Sequence, residues 1–238
     1  MRTAVFSDIH SNWEALEAAL LYLKKQSVDE YWILGDTIGY GANPNECFGW
    51  MVQNARVALL GNHEKGVVDP AFLDWFNPDA RRAAEWTTLV LRPEFCKKIE
   101  ELRYLHVTPA ATMAHGSPNE PEEFHYLFSA KDAWPAFHAF ETALCFVGHT
   151  HVPSLFTESS ESVRYLTPGI YELERNERYI VNPGSVGQPR DRNPRLSFGI
   201  FDDKEWTFEL VRLEYDNQKA ADKIRKAGLP RSLADRLL

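Results

Sequence analysis

Along this chain, short apolar runs alternate with stretches whose apolar residues recur at helical spacing. Thr3 to Phe6 reads as a buried strand, and Trp13, Leu16, Leu20 and Leu23 mark one face of a following helix capped by Ser11 or Asn12. Tyr31 to Leu34 predicts the next strand, Asn43 and Pro44 the cap and first residue of a second helix, and Arg56 to Leu60 a third strand. The opening therefore reads β-α-β-α-β. From Pro70 to His106 helical signals dominate: Asn77-Pro78 starts a helix through Leu89, and Pro93 starts another reaching about Leu102. Strand signals return at Ala110 to Ala114 and Leu144 to Val147, with a helix from Ser129 to Phe140 between them. Past Val152 the chain is strand-rich, at Leu155, Arg164 to Leu166 and Tyr179 to Val181, before a hairpin of Leu196 to Phe201 and Trp206 to Leu213. Helices over Asn217 to Lys226 and Pro230 to Leu238 close it. Strands interleaved with helices, then a run of antiparallel strands, predict an α/β fold of two sheets packed face to face with helices outside.

Composition narrows this picture. With 238 residues and 44% hydrophobic content the chain can bury a full core, and it shows no repeat, low-complexity tract or linker. A single domain over residues 1–238 is expected, with a mostly helical insertion at about 70–106. Cys47, Cys96 and Cys145 are odd in number and form no Cys-x-x-Cys pair, which disfavours disulfides and thiolate zinc. The apolar start is too short for a signal h-region or a membrane span. A soluble cytoplasmic protein with no membrane partner is expected. The net charge of −8 opposes binding to a nucleic-acid backbone.

The polar residues that end the apolar runs carry the chemistry. Ser7-Asp8-Ile9-His10, Gly35-Asp36, Gly61-Asn62-His63-Glu64, His115-Gly116 and Gly148-His149-Thr150-His151 appear in order, followed by Asn182-Pro183-Gly184-Ser185. In α/β sheets, ligands collect beyond the carboxyl ends of strands, where Asp8, Asp36, Asn62, His115 and His149 are predicted to lie. If extended backbone persists past Phe6, Asp8 and His10 point the same way, as do His149 and His151, so each pair could grip one ion. The donors Asp8, His10, Asp36, Asn62, His115, His149 and His151 exceed the needs of one ion and suit two that share a carboxylate, for which Asp36 is the choice. His115 rests on one His-Gly after an apolar run, and His106, His125 and His138 are its alternatives. Carboxylate, imidazole and amide donors without thiolate favour Mn, Fe, Co, Ni or Zn, with Mn or Fe preferred. Two such ions roughly 3.5–4 Å apart bind phosphoryl oxygens and hold a hydroxide at neutral pH, so phosphoester hydrolysis is the natural reaction. His63, next to a donor but expected to face away from the metals, is left to assist the leaving oxygen, with Glu64 orienting it.

The ordered motifs Asp-x-His, Gly-Asp, Gly-Asn-His-Glu, His-Gly and Gly-His-x-His resemble those of the calcineurin-like metallophosphoesterase superfamily, closest to its small single-domain bacterial and archaeal members. The resemblance covers Ser7 to His151 and, with the Asn182 motif, most of the chain. It implies a four-layer α/β/β/α sandwich of two mixed sheets with helices on both outer faces. One metal would take Asp8, His10, Asp36 and His151, and the other Asp36, Asn62, His115 and His149, leaving His63 and the bridging Asp36 as the catalytic pair.

The departures are informative too. Superfamily protein phosphatases carry an arginine soon after the second motif, whereas Gly35 to Gly41 has none, so phosphoprotein substrates are disfavoured. Tyr40, on a glycine-rich loop, could stack on a base or sugar, and Arg190 or Arg192 could touch the phosphate beside a turn at Asn182 to Ser185 that borders the pocket. Trp75, Phe76 and Trp86 are expected to pack the helical insertion, which could also form a lid or dimer surface. The leading expectation is a phosphodiesterase or phosphatase acting on a small soluble, nucleotide-like ester, as a monomer or homodimer. A dinucleoside polyphosphate hydrolase, a nuclease and a non-catalytic metal-fold scaffold are the alternatives. The nuclease is weakened by the acidic balance.

Overall fold

Alternation along the strands sorts their side chains onto two faces, and that sorting builds the layers. The computed structural model describes residues 1–160 and 162–238. The strands are β1 (Arg2–Phe6), β2 (Glu30–Ile33), β3 (Ala55–Ala58), β4 (Leu105–Val107), β5 (Ala111–Ala114) and β6 (Leu144–Phe146). They continue as β7 (Ser154–Thr157), β8 (Val163–Tyr165), β9 (Gly169–Glu172), β10 (Tyr179–Asn182), β11 (Leu196–Asp202) and β12 (Thr207–Leu213). One mixed sheet has the order β3-β2-β1-β11-β12-β9 and the other β4-β5-β6-β10-β7-β8. β1, β2 and β3 run parallel, as do β5, β6 and β10. All carboxyl ends that bear the predicted donors belong to these parallel strands.

Val5, Trp32, Leu34, Phe201 and Phe208 of the first sheet face Leu144, Phe146, Tyr179 and Val181 of the second, forming the central core. The opposite faces carry Phe6, Ile33, Phe198 and Ile200, covered by α1 (Trp13–Leu23), α2 (Pro44–Asn54) and α5 (Pro93–Glu100). Cys145, Phe156 and Ile180 of the second sheet meet Ala133, Ala136 and Phe137 of α6 (Ala130–Phe137). The result is the expected four-layer α/β/β/α sandwich. A further cluster joins α7 (Asn217–Lys226) and α8 (Arg231–Asp235) to Tyr40 and to Ala80 and Ala83 of α4 (Pro78–Val90). No helix among the described residues is long and apolar enough to cross a membrane.

Several local expectations change. Asn12 caps α1 by accepting from the amide of Ala15. Asn43 stands at the N-cap of α2, before Pro44, as expected, but its side chain donates to Glu46 and accepts from Lys223 instead of bonding the helix amides. The predicted helix from Ser129 ends at Phe137. Two short strands and one helix carry too little periodic signal to be read: β4, β9, and α3 (Asn62–Val68), which begins at a predicted metal donor.

Candidate metal centre

The donor loops are not extended. Asp8, His10, Asp36, His149 and His151 all adopt left-handed backbone, with φ of 53, 48, 52, 65 and 60°. That conformation costs a non-glycine residue about 1 kcal/mol or more, and its concentration here marks backbone shaped for something other than stability. The strand-based reason for pairing these side chains is therefore wrong. His149 and His151 do not grip one point: His151 Nε2 lies 3.1 Å from His10 Nε2, whereas His149 Nδ1 lies 3.2 Å from His115 Nε2.

Three overlapping groups result among the described residues. Asp8, His10 and His151 form one, Asp36, His115 and His149 a second, and His10, Asp36 and His63 a third that links them, each with ligand atoms within 4.8 Å of one another. Asp36 Oδ2 stands between the first two, 3.7 Å from His10 Nε2 and 3.2 Å from His115 Nε2. Asn62 Oδ1 joins the second group, 3.3 Å from His115 Nε2. Among the alternatives to His115, the structure places His125 near Glu120 on the surface, His138 against Trp134, and His106 on β4, all outside these groups.

Second contacts fix the tautomers. His10 Nδ1 reaches the carbonyl of Ile38 at 3.1 Å, His115 Nδ1 that of Leu34 at 2.9 Å, and His151 Nδ1 that of Gln188 at 2.6 Å. A carbonyl only accepts, so each Nδ1 carries a proton and each Nε2 is the atom turned into the cluster. Burial favours the neutral ring at His115, but the Asp36 charge outweighs it and pushes that imidazole up to about 9, so its Nε2 holds a proton that a cation would displace. Nε2 of His10, a ring that burial keeps neutral, faces Nε2 of His151 at 3.1 Å in a buried site. Asp8 Oδ1, buried and accepting no hydrogen bond, lies 3.1 Å from His151 Nε2. Such convergent acceptors repel unless a cation lies among them, so the residues fit a metal.

Charge follows the same logic. Burial raises the Asp8 carboxyl, but His151 and His115 outweigh it and hold it well below the carboxylate range. Burial likewise opposes ionisation of Asp36, which the charge of His115 overcomes. Burial pushes His63 down to about 4, so its imidazole is neutral at ordinary pH. The ring does not face away from the centre: it lies 4.8 Å from that of His10 and 4.3 Å from that of Tyr40, and its Nδ1 has no partner.

Glu64 does not orient His63. Its carboxylate accepts from the backbone amides of Asp36, Gly61 and Ile38, at 2.8, 3.0 and 3.1 Å. Burial and the Asp36 charge push it up to about 7 against those amides. The Asn182 turn also works from beneath rather than bordering the pocket. Asn182 donates to the Gly148 carbonyl, and Ser185 to that of Asp8. Gly187 lies so close to Ile9 that a Cβ would meet its carbonyl oxygen at 1.8 Å.

Above the donors, Arg190 donates to the Tyr40 hydroxyl at 3.4 Å and to Gln188 at 3.1 Å, while Arg192 is exposed, with its backbone at φ 64°. Trp75 and Phe76 do not simply pack the insertion: Phe76 lies 5.0 Å from His63, and Trp75 is 84% exposed. Trp86 does pack, against the cluster formed by α7 and α8. Tyr126, stacked on His149 at 3.9 Å, and Phe124, 5.9 Å from His115, escaped the sequence reading because they follow no motif.

A buried Asp/His cluster able to hold metal thus lies at the shared carboxyl edge of the two facing sheets of an α/β/β/α protein. The chain belongs to the calcineurin-like phosphoesterase superfamily, whose domain matches residues 1–205. It is 40% identical over 240 residues to protein MJ0912 of Methanocaldococcus jannaschii, covering 98% of this chain and 96% of that one. Among solved structures it is similar to a metallophosphoesterase from Sphaerobacter thermophilus, with 40% identity, TM-score 0.90, and coverage of 100% and 98%. A hypothetical protein, PH1004, of Pyrococcus horikoshii shares the fold, with 20% identity, TM-score 0.79, and coverage of 99% and 97%.

Proposed function

We propose that this chain hydrolyses small soluble phosphoesters, mono- or diesters, in a reducing cytoplasmic compartment. The observation that carries this reading is the set of ligand atoms turned inward: Nε2 of His10, His115 and His151 with the carboxylates of Asp8 and Asp36. Asp8, His10, Asp36 and His151 would hold one ion, and Asp36, Asn62, His115 and His149 the second, with Mn or Fe favoured by the donor chemistry. When bound, such a pair supplies Lewis acidity to phosphoryl oxygens and lowers the pKa of a water. Asp36 sets the separation of the two groups through Oδ2, while its Oδ1 accepts the His63 amide at 2.9 Å and so ties that residue to the bridge. His63, neutral and in contact with the centre, donates an N–H to the leaving oxygen. Arg190 neutralises phosphate charge at the rim.

Protein stripped and reloaded separately with Mn, Fe, Co, Ni, Zn and Mg is assayed on aryl phosphomonoesters, aryl phosphodiesters, cyclic nucleotides, dinucleoside polyphosphates and single-stranded DNA. Turnover of small esters by at least one loaded form, reduced about 100-fold or more in His63→Ala, is expected. Inactivity of every form toward every substrate would leave a metal-binding scaffold.

A further inference from the structure

Between the donor cluster and the helical insertion lies a cleft of about 360 Å³, within the range of pockets that hold small ligands. Asn62, His63 and His149 line its metal side. The rest is unusually aromatic. Phe72, Trp75 and Phe76 come from the segment between α3 and α4, and Phe124 and Tyr126 from the loop after β5. Phe72 touches both Phe76 and Phe124, at 5.8 and 5.7 Å between ring centroids, so the two segments meet at the back of the cleft. Trp75, by contrast, is left almost entirely in water, and Tyr126 is 45% exposed although its ring lies parallel to His149. An indole so exposed forgoes the burial that its size would reward, unless a ligand supplies it.

Charge restricts the ligand further. The lining holds no lysine or arginine, so a polyanionic strand has nothing to track along it. Positive charge is confined to the metal side, where Arg190 faces both Tyr40 and Tyr126 and opposes the rise that burial imposes on their hydroxyls. An anionic end and a flat aromatic end are therefore recognised at separate places. Glu123 and His125 at the margin offer an acceptor and a donor to the edge of a heterocycle.

We propose that the cleft binds the base of a mononucleotide ester, with Trp75 and Tyr126 stacking on it while the phosphate sits at the Asp/His cluster. This deepens the phosphoesterase reading and rests on it for the position of the phosphate. Trp75 and Tyr126 are then specificity-determining residues.

The test compares AMP with ribose 5-phosphate, which differ only in the base, by calorimetric titration of the Mn-supplemented protein. Base stacking on aromatic side chains predicts AMP binding tighter by about 10- to 100-fold. In Trp75→Ala the two should bind within about threefold of each other, and Trp75→Phe should restore most of the gap. Since Trp75 is mostly exposed, circular dichroism of both variants should match the parent. Equal binding of the two ligands by the parent, no binding of either, or a gap that survives in Trp75→Ala would each overturn the proposal. Hydrolysis of bis(p-nitrophenyl) phosphate, run in parallel, separates the two readings. Turnover without base preference removes the base site alone, whereas base preference without turnover by any metal-loaded form keeps it and removes the hydrolase.

Discussion

Replacing Glu64 tests whether one carboxylate holds the bridging loop in place. Glu64 is fully buried; its Oε2 accepts from the amides of Asp36 and Gly61, and its Oε1 from that of Ile38. Asp36 is the left-handed residue that presents the bridging carboxylate and Ile38 lies two residues on, and among the described residues these three amides have no hydrogen-bond partner other than Glu64. In Glu64→Ala three buried donors lose a charged partner. Each such loss costs about 1.5–3 kcal/mol, and partial collapse of the loop brings the sum down to about 3–6 kcal/mol. Glu64→Gln keeps one oxygen, which can serve the Asp36 and Gly61 amides, but turns an N–H₂ toward the amide of Ile38. Relief of repulsion with Asp36 offsets part of that clash, leaving about 1–2 kcal/mol. The assay is urea denaturation followed by circular dichroism in the presence of a chelator, so that metal binding does not enter the comparison. At a slope of about 3 kcal/mol/M, the glutamine variant should lose about 0.5 M in midpoint and the alanine variant at least twice that. An alanine variant within about 0.5 kcal/mol of the parent would refute the argument, because the loop would then hold its shape without the carboxylate.

Other expectations follow from the same geometry. His149→Ala and His151→Ala remove donors from different groups, so metal analysis should find about one equivalent lost in each, from different sites, and both lost in Asp36→Ala; loss of one and the same site in His149→Ala and His151→Ala would contradict the split. Gly39→Ala places a Cβ 2.2 Å from His63 Nδ1 at a φ of +91°, and should lower kcat about 100-fold or more with metal content retained, as read by turnover beside metal analysis. Arg190→Ala should raise KM about 10-fold or more, whereas Arg192→Ala, at an exposed position, should change it less than about twofold. Arg236 Nη1 donates to the Gln188 side chain that also holds Arg190, so Arg236→Ala should raise KM by about two- to fivefold at unchanged thermal midpoint.

Much of the centre was legible because its donors end apolar runs. A strand that must be buried stops where an Asp, Asn or His begins, and parallel strands bring those stops to one edge, which is why the pattern alone points to strand ends for Asp8, Asp36, Asn62, His115 and His149. The alternation of Phe6 against Val5, and Ile33 against Trp32, likewise announced sheets buried on both faces. Local pattern could not reveal the left-handed turns, because the loops at Asp8, Asp36 and His151 are held by hydrogen bonds with Gly187, Glu64 and Gln188 respectively, far along the chain. For the same reason the partition of His149 and His151, the true role of Glu64, and the aromatic wall of Trp75 and Tyr126 are properties of the folded molecule. The sequence by itself determined which donors exist and at which strand ends they stand, since hydrophobic period is written locally. Only the tertiary structure decided which lone pairs face one another and which rings share a cleft, since those follow from loops that distant hydrogen bonds bend into shape.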